Sequence, residues 1–140
     1  MKKDLKTLLP VILEAIEKDG RVRIYPRGKS MLPMLREGID SVVLTRAEKL
    51  ELYDVVLHKD DDGWCLHRVV SMKNGSVTTC GDNQSVGKVV DRDDVLAKVE
   101  SWYRGDEHIE NDDARYKRYI RRIVRFRPLR RIGRKICRKR

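Results

Sequence analysis

Three residues in this chain have types and settings that suit covalent chemistry. They are Ser30 in Gly28-Lys29-Ser30-Met31-Leu32-Pro33, His67 in Leu66-His67-Arg68-Val69-Val70 and Asp82 in Thr79-Cys80-Gly81-Asp82-Asn83. A serine hydroxyl is a weak nucleophile until a base removes its proton. Imidazole suits that task, since an ordinary pKa of about 6.5 leaves it mostly neutral near neutrality. A carboxylate can orient the ring and stabilise its cation, and the chemistry of such a set is acyl transfer. Each residue also has a plainer reading: an ordinary turn serine, a half-buried strand histidine bonded to a carbonyl, and a turn-capping aspartate. Cys65, two residues before His67, reads as a small buried thiol. His58 and His108 have no comparable context and read as structural.

The elements that must position these residues follow from hydrophobic spacing. Leu5, Leu8, Leu9, Ile12, Leu13 and Ile16 recur at threes and fours, which predicts one amphipathic helix over residues 4–18, closed by Asp19-Gly20. Pro10 removes a donor inside it, so the expectation is a start near Leu8 or a kink there. From Arg21 to about Arg104 the period changes to two. Strands are expected at Arg21–Pro26, Ser41–Arg46, Tyr53–Lys59, Trp64–Met72, Ser76–Cys80 and Val95–Tyr103, with hairpin turns at Lys59–Gly63 and Lys73-Asn74-Gly75. On the Trp64–Met72 strand, alternation places Cys65, His67 and Val69 on one face and Trp64, Leu66 and Val70 on the other, which lets His67 project toward the Ser30 turn. The division is a helix over 1–20, a mainly β domain with a coiled antiparallel sheet or partly open barrel over 21–104, and a linker with a basic helical tail over 105–140.

Net charge is +10, but its distribution is uneven. Residues 114–140 hold 14 Lys/Arg and no Asp/Glu, leaving 18 basic against 22 acidic residues elsewhere. In the tail, Tyr116, Tyr119, Ile120, Ile123 and Val124 line one side; Pro128 interrupts, and Leu129, Ile132 and Ile136 resume the stripe. Three accounts fit: a solvated charged end, a helix lying on an anionic membrane surface, or phosphate contacts to nucleic acid. The apolar stripe favours the membrane surface, and no helix-turn-helix pattern accompanies the charge. Three cysteines without a C-x-x-C pair argue against a disulfide framework or a zinc site, so neither metal nor cofactor is expected. No apolar run approaches the roughly 20 residues of a spanning helix. The expected location is the cytoplasm, peripheral at the inner face of the membrane.

The order of the boxes is more specific than any one of them. Ser30-Met31-Leu32-Pro33, then Gly38-Ile39-Asp40, Asp54-Val55-Val56-Leu57, His67-Arg68-Val69 and Gly81-Asp82-Asn83 resembles the signal peptidase and LexA-type serine peptidase superfamily. The histidine in the base position is similar to its archaeal and endoplasmic-reticulum branch. The resemblance covers Arg21 to Tyr103 and implies a coiled β fold of that type, Ser30 as nucleophile, His67 as general base and Asp82 as its partner, with Asp91 and Asp94 as weaker candidates. It also implies substrate contacts at Met31 and Pro33 and an oxyanion hole of backbone N–H groups including that of Ser30. The sequence departs from the pattern where Tyr53 replaces a glycine, where Gly28-Lys29 precedes the nucleophile, where Gly38-Ile39-Asp40 is one residue longer than the family's Gly-Asp, where Ser85-Val86-Gly87 stands in place of a second acidic residue, and where the expected spanning anchor is missing.

The function expected is a serine endopeptidase cleaving an extended secretory or leader peptide with small residues near the cut. Its rivals are a non-catalytic protein that docks through the basic tail, and a self-cleaving LexA-type regulator.

Overall fold

A computed structural model describes residues 2–61 and 63–125. Helix α1 spans Lys2–Asp19 with Pro10 inside it, which corrects the expected start near Leu8. The Pro10 ring lies on the exposed side of the helix. Ile12 and Ile16 are buried beneath the helix, Leu9 packs beside them, and Leu8 and Val11 remain in solvent. Burying a side chain of this size stabilises by about 1.5–3 kcal/mol, so α1 is held mainly by one narrow stripe.

The strands are β1 (Arg21–Ile24), β2 (Ser41–Thr45), β3 (Val55–Asp60), β4 (Gly63–Lys73), β5 (Ser76–Cys80), β6 (Lys88–Asp91), β7 (Val95–Arg104) and β8 (Glu107–Glu110). They form one open, curled antiparallel sheet in the order β1-β2-β7-β3-β4-β5-β6, with β8 also on β7. Register shifts at Val43/Leu44, Leu57/His58 and Val69/Ser71 supply local twist of the kind that curls a sheet. The ten-residue β7 carries β2 along one edge, while β3 and β8 share the other at successive heights.

Residues 107–110, expected within a polar linker, are a strand. Only Ile109 is buried there, and the backbone ladder to β7 supplies what the side chains do not. The tail helix begins where expected: α2 spans Ala114–Arg125. The resumed stripe at Leu129, Ile132 and Ile136 lies outside the described residues. Within α2, Tyr116 and Ile123 are buried, and Tyr119 and Ile120 pack against the main core. Lys117, Arg118, Arg121, Arg122 and Arg125 face out. The apolar side of this helix is therefore engaged with the β domain.

Strand alternation divides the interior in two. One face of the sheet, with Val42, Leu44, Val55, Leu57, Leu66 and Val99, packs against α1, the Met31–Leu35 segment and α2. The other gathers Val56, Val69, Val77, Val90 and Val95. A buried carboxylate braces the first layer. Asp40 accepts from Arg36 N–H at 2.7 Å, Arg36 Nε and Nη2 at 2.9 Å each, and Gly105 N–H at 2.7 Å, tying the loop before β2 to the β7–β8 turn. Arg104 lies 3.9 Å away.

Burial alone raises the Asp40 carboxyl, but the bonds from Arg36 and Gly105 outweigh it and hold the pKa below the usual carboxylate value. This contribution is complete above the unfolded pKa, about 3.9, and is lost as pH falls through the lower folded value. Asp40→Asn should cost about 2 kcal/mol near pH 7 in urea denaturation, and its gap to the wild type should close as the pH falls through the lowered folded value.

Candidate active site

Ser30 sits at the head of a compact turn. Leu32 N–H donates to the Lys29 carbonyl at 3.2 Å and Leu35 N–H to the Met31 carbonyl at 3.0 Å, while the Leu32–Pro33 peptide is cis. Buried Met31, Met34 and Leu35 anchor the segment in the core. The turn then docks on the chain after β5. Asn83 N–H donates to the Ser30 carbonyl at 2.8 Å, and Asn83 Nδ2 to the Lys29 carbonyl at 3.1 Å. Gly81 makes this approach possible, since a Cβ there would lie 3.0 Å from Ser30 Cβ and closer still to the Ser30 carbonyl oxygen. The absence of a side chain at residue 81 thus sets where the serine stands.

His67 enters from the facing ladder. The β4–β5 register ends with Arg68 paired to Cys80, one residue short of His67 on β4 and of Gly81 after β5. No hydrogen bond joins Ser30 to His67. Beside Ser30 opens a cavity of about 90 Å³ lined by Gly28, Met31, Leu35, Trp64, Cys65 and Leu66 among others. Cys65 is on its wall, and His67 is not.

A connected set of polar groups lies around Cys65. His58 pairs with Cys65 across β3 and β4, which puts both on the face that carries His67. His58 Nδ1 is 2.8 Å from the Lys59 carbonyl, and a carbonyl only accepts, so Nδ1 carries the proton and Nε2 the lone pair. Nε2 lies 3.1 Å from Thr79 Oγ1 and 3.4 Å from Cys65 Sγ, and that sulfur is 3.5 Å from His67 Nδ1. One consistent proton arrangement has the Cys65 thiol donating to His58 and His67 Nδ1–H donating to the sulfur. His67 Nε2 is then left unprotonated.

Burial lowers the His58 pKa. Burial, with the neighbouring His58 adding to it, pushes His67 down to about 3, while Asp60 and Asp82 pull the other way. Both rings are neutral near neutral pH. His67 is consequently available as a base but intrinsically a weak one.

Asp82 occupies a different position from the one its expected role requires. Its carboxylate accepts from Arg68 Nε and Nη2 at 2.8 Å each and from Tyr119 Oη at 2.6 Å. Period-two alternation explains the difference, because Arg68 and His67 point to opposite faces of β4 and Asp82 lies on the Arg68 side. Asp82 reaches His67 through its field, without orienting the ring by a hydrogen bond. Arg68 is fully buried and also donates to Tyr116 Oη at 3.1 Å and to the Tyr53 carbonyl at 3.0 Å. Tyr53, which stands where the resembled strand has glycine, is held at a φ of 77°. That left-handed conformation costs about 1–2 kcal/mol for a residue with a Cβ. The Arg68 bond and a 2.8 Å bond from Tyr53 N–H to the Val69 carbonyl help to fix it.

The remaining candidates separate. Met31 lines the cavity beside Ser30. Pro33 instead borders a second cavity of about 300 Å³ under α2, with Met34, Trp102, Tyr116 and Tyr119. Asp91 caps the short helical turn Arg92–Asp94 by accepting from Asp93 N–H, and Asp94 acts on His58 only through its charge. His58 and Cys65, read from sequence as structural, belong to the polar cluster. The hairpin could have indicated this: pairing Asp60 with Gly63 fixes His58 opposite Cys65. No protein-family model matches the chain, and no curated protein matches it in sequence.

Removing one partner of a buried ion pair strands the other. Arg68→Met should destabilise the protein by about 3–5 kcal/mol in urea denaturation, and a compensating Asp82→Leu should recover much of the loss.

Proposed function

We propose that the protein is a small serine endopeptidase of signal peptidase-like type, acting on an extended secretory or leader peptide with a Ser30–His67 dyad. The observation that carries this reading is the docking of Ser30 on Gly81, one residue past the end of the β4–β5 register that stops one residue short of His67, beside an open cavity. Ser30 Oγ attacks the scissile carbonyl while His67 Nε2 takes its proton. The Ser30 N–H, which makes no hydrogen bond among the described residues, is the donor this reading assigns to the developing oxyanion. The imidazolium then protonates the leaving amine, and water, activated by the same ring, releases the acyl group. Asp82 and Asp60 favour the transient imidazolium by charge. Cys65, instead of a carboxylate, holds the Nδ1 side of the ring.

Because His67 is a weak base, turnover is slow. Peptides with small residues before the cut should be cleaved, with products identified by mass spectrometry. Ser30→Ala and His67→Ala should each lower the rate by about 100-fold or more. Normal cleavage by Ser30→Ala would overturn the assignment. An intact chain after long alkaline incubation would separate this activity from LexA-type self-cleavage.

A second reading, docking on an anionic membrane surface, draws support from the outward cations of α2. With the apolar side of α2 packed inward, charge alone would serve it. Arg118→Glu, Arg121→Glu and Arg122→Glu together should weaken sedimentation with phosphatidylserine vesicles by at least about 1 kcal/mol per cation, while cleavage of soluble peptides stays unchanged. Equal sedimentation of the triple variant would remove this reading.

A further inference from the structure

The polar cluster behind the serine has a composition that the peptidase chemistry does not require. Two imidazoles and a thiol converge: His58, Cys65 and His67 each offer one donor atom, all within 4.8 Å of one another. The two rings stand 5.6 Å apart between centroids and tilt by 55°, so they are not stacked on each other. Among the described residues no other such group of His, Cys, Asp or Glu occurs.

The spacing can be compared with what a metal needs. A tetrahedral zinc ion with Zn–S of about 2.3 Å and Zn–N of about 2.0–2.1 Å sets sulfur and nitrogen roughly 3.5 Å apart. Cys65 Sγ lies 3.4 Å from His58 Nε2 and 3.5 Å from His67 Nδ1. Both sulfur–nitrogen separations therefore already match, and the two nitrogens lie within 4.8 Å of each other. A second, independent feature is the bond from His58 Nδ1 to the Lys59 carbonyl, which fixes the tautomer and leaves the Nε2 lone pair toward Cys65 Sγ and the Thr79 hydroxyl. Outer bonds of this sort orient the histidine ligands of metal sites. The set is also of mixed nitrogen and sulfur donors, which suits zinc over the hard cations calcium and magnesium. Access comes from the Cys65 side, because that residue lines the cavity beside Ser30 whereas His58 and His67 are buried. The nearby carboxylate of Asp60, on the strand of His58, pairs with Lys88 at 2.6 Å.

We propose that His58 Nε2, Cys65 Sγ and His67 Nδ1 form a zinc-binding site whose occupation switches off the Ser30–His67 dyad. Binding displaces the thiol proton to solvent and gives a thiolate. Coordination through His67 Nδ1 moves the ring proton to Nε2, the atom that must accept the serine proton. Metal and base thus compete for one imidazole in opposite tautomers. The inhibitory half of this inference rests on the peptidase reading; the binding half does not.

The test uses the full, untagged chain, freed of metal by chelation. Zinc titration against a chromophoric chelator should give one site per chain. Cobalt should produce a tetrahedral visible spectrum with a thiolate-to-cobalt charge-transfer band. Cys65→Ser should abolish that band and weaken zinc binding by more than the roughly 10–100-fold that outer partners contribute in other sites. His58→Gln, which leaves both members of the dyad in place, should weaken binding as well, while Cys80→Ser and Cys137→Ser should retain it. Absence of the charge-transfer band in the wild type, or its survival in Cys65→Ser, would overturn the site. Peptide cleavage should fall in step with zinc occupancy and return on chelation; undiminished cleavage at full occupancy would overturn the switch. Binding without cleavage under any condition would count against the peptidase reading and leave the metal site standing.

Discussion

A guanidinium with no access to solvent governs this structure. Arg68 must satisfy its donors inside the protein or not be buried at all, because an isolated buried charge costs several kcal/mol. It is satisfied by parts of the chain distant in sequence: the Asp82 carboxylate after β5, the Tyr116 hydroxyl on α2 and the Tyr53 carbonyl before β3. Burial alone would lower its pKa, yet Tyr116 and Asp82 more than offset this, and the group remains charged. The same bonds set the height of α2 on the sheet and the path of the Gly81–Asn83 segment. Since that segment carries the turn of Ser30, the position of the candidate nucleophile depends indirectly on a cation on the far face of β4.

Adjacent residues on β4 consequently have unlike tasks. Arg68 belongs to the layer under the helices, and His67 to the layer with His58, Cys65 and Thr79. A strand separates them completely in packing while leaving them one residue apart in sequence. Asp82 is shared between them unequally, by hydrogen bonds on one side and by field on the other.

Much of this was legible in the sequence where local rules suffice. The period-two runs located β1–β5 and β7, and Asn74-Gly75 marked its hairpin correctly because both residues take positive φ. The amphipathic spacing of α1 and of the first part of α2 also held. What local rules missed was decided by partners elsewhere. β6 and β8 are four residues each, with too few apolar positions to register alone, and they exist through the ladders to β5 and β7. The stripe on α2 could equally face a membrane or a protein core, and Tyr116 and Tyr119 face Arg68 and Asp82. Ser30 docks on Gly81, whereas His67 lies on β4 beside Cys65 and His58. The partner of Asp82 could not be read, because choosing between His67 and the next residue requires the face of the strand, which is a tertiary fact.

The two-edged pairing of β7 also bears on how the chain acquires its shape during synthesis. β1 and β2 pair with each other, but the next neighbour of β2 is β7, whose Tyr103 lies opposite Ser41. β3 and β4 likewise form a hairpin that meets the first pair only across β7. Without β7 the sheet divides into the β1–β2 pair and the β3–β6 group, each with an unpaired edge. The peptidase candidate Ser30 emerges in the first group and His67 in the second. Assembly of their site therefore waits on a strand that contains neither, and on the closure of a long loop that makes such sheets slow to form.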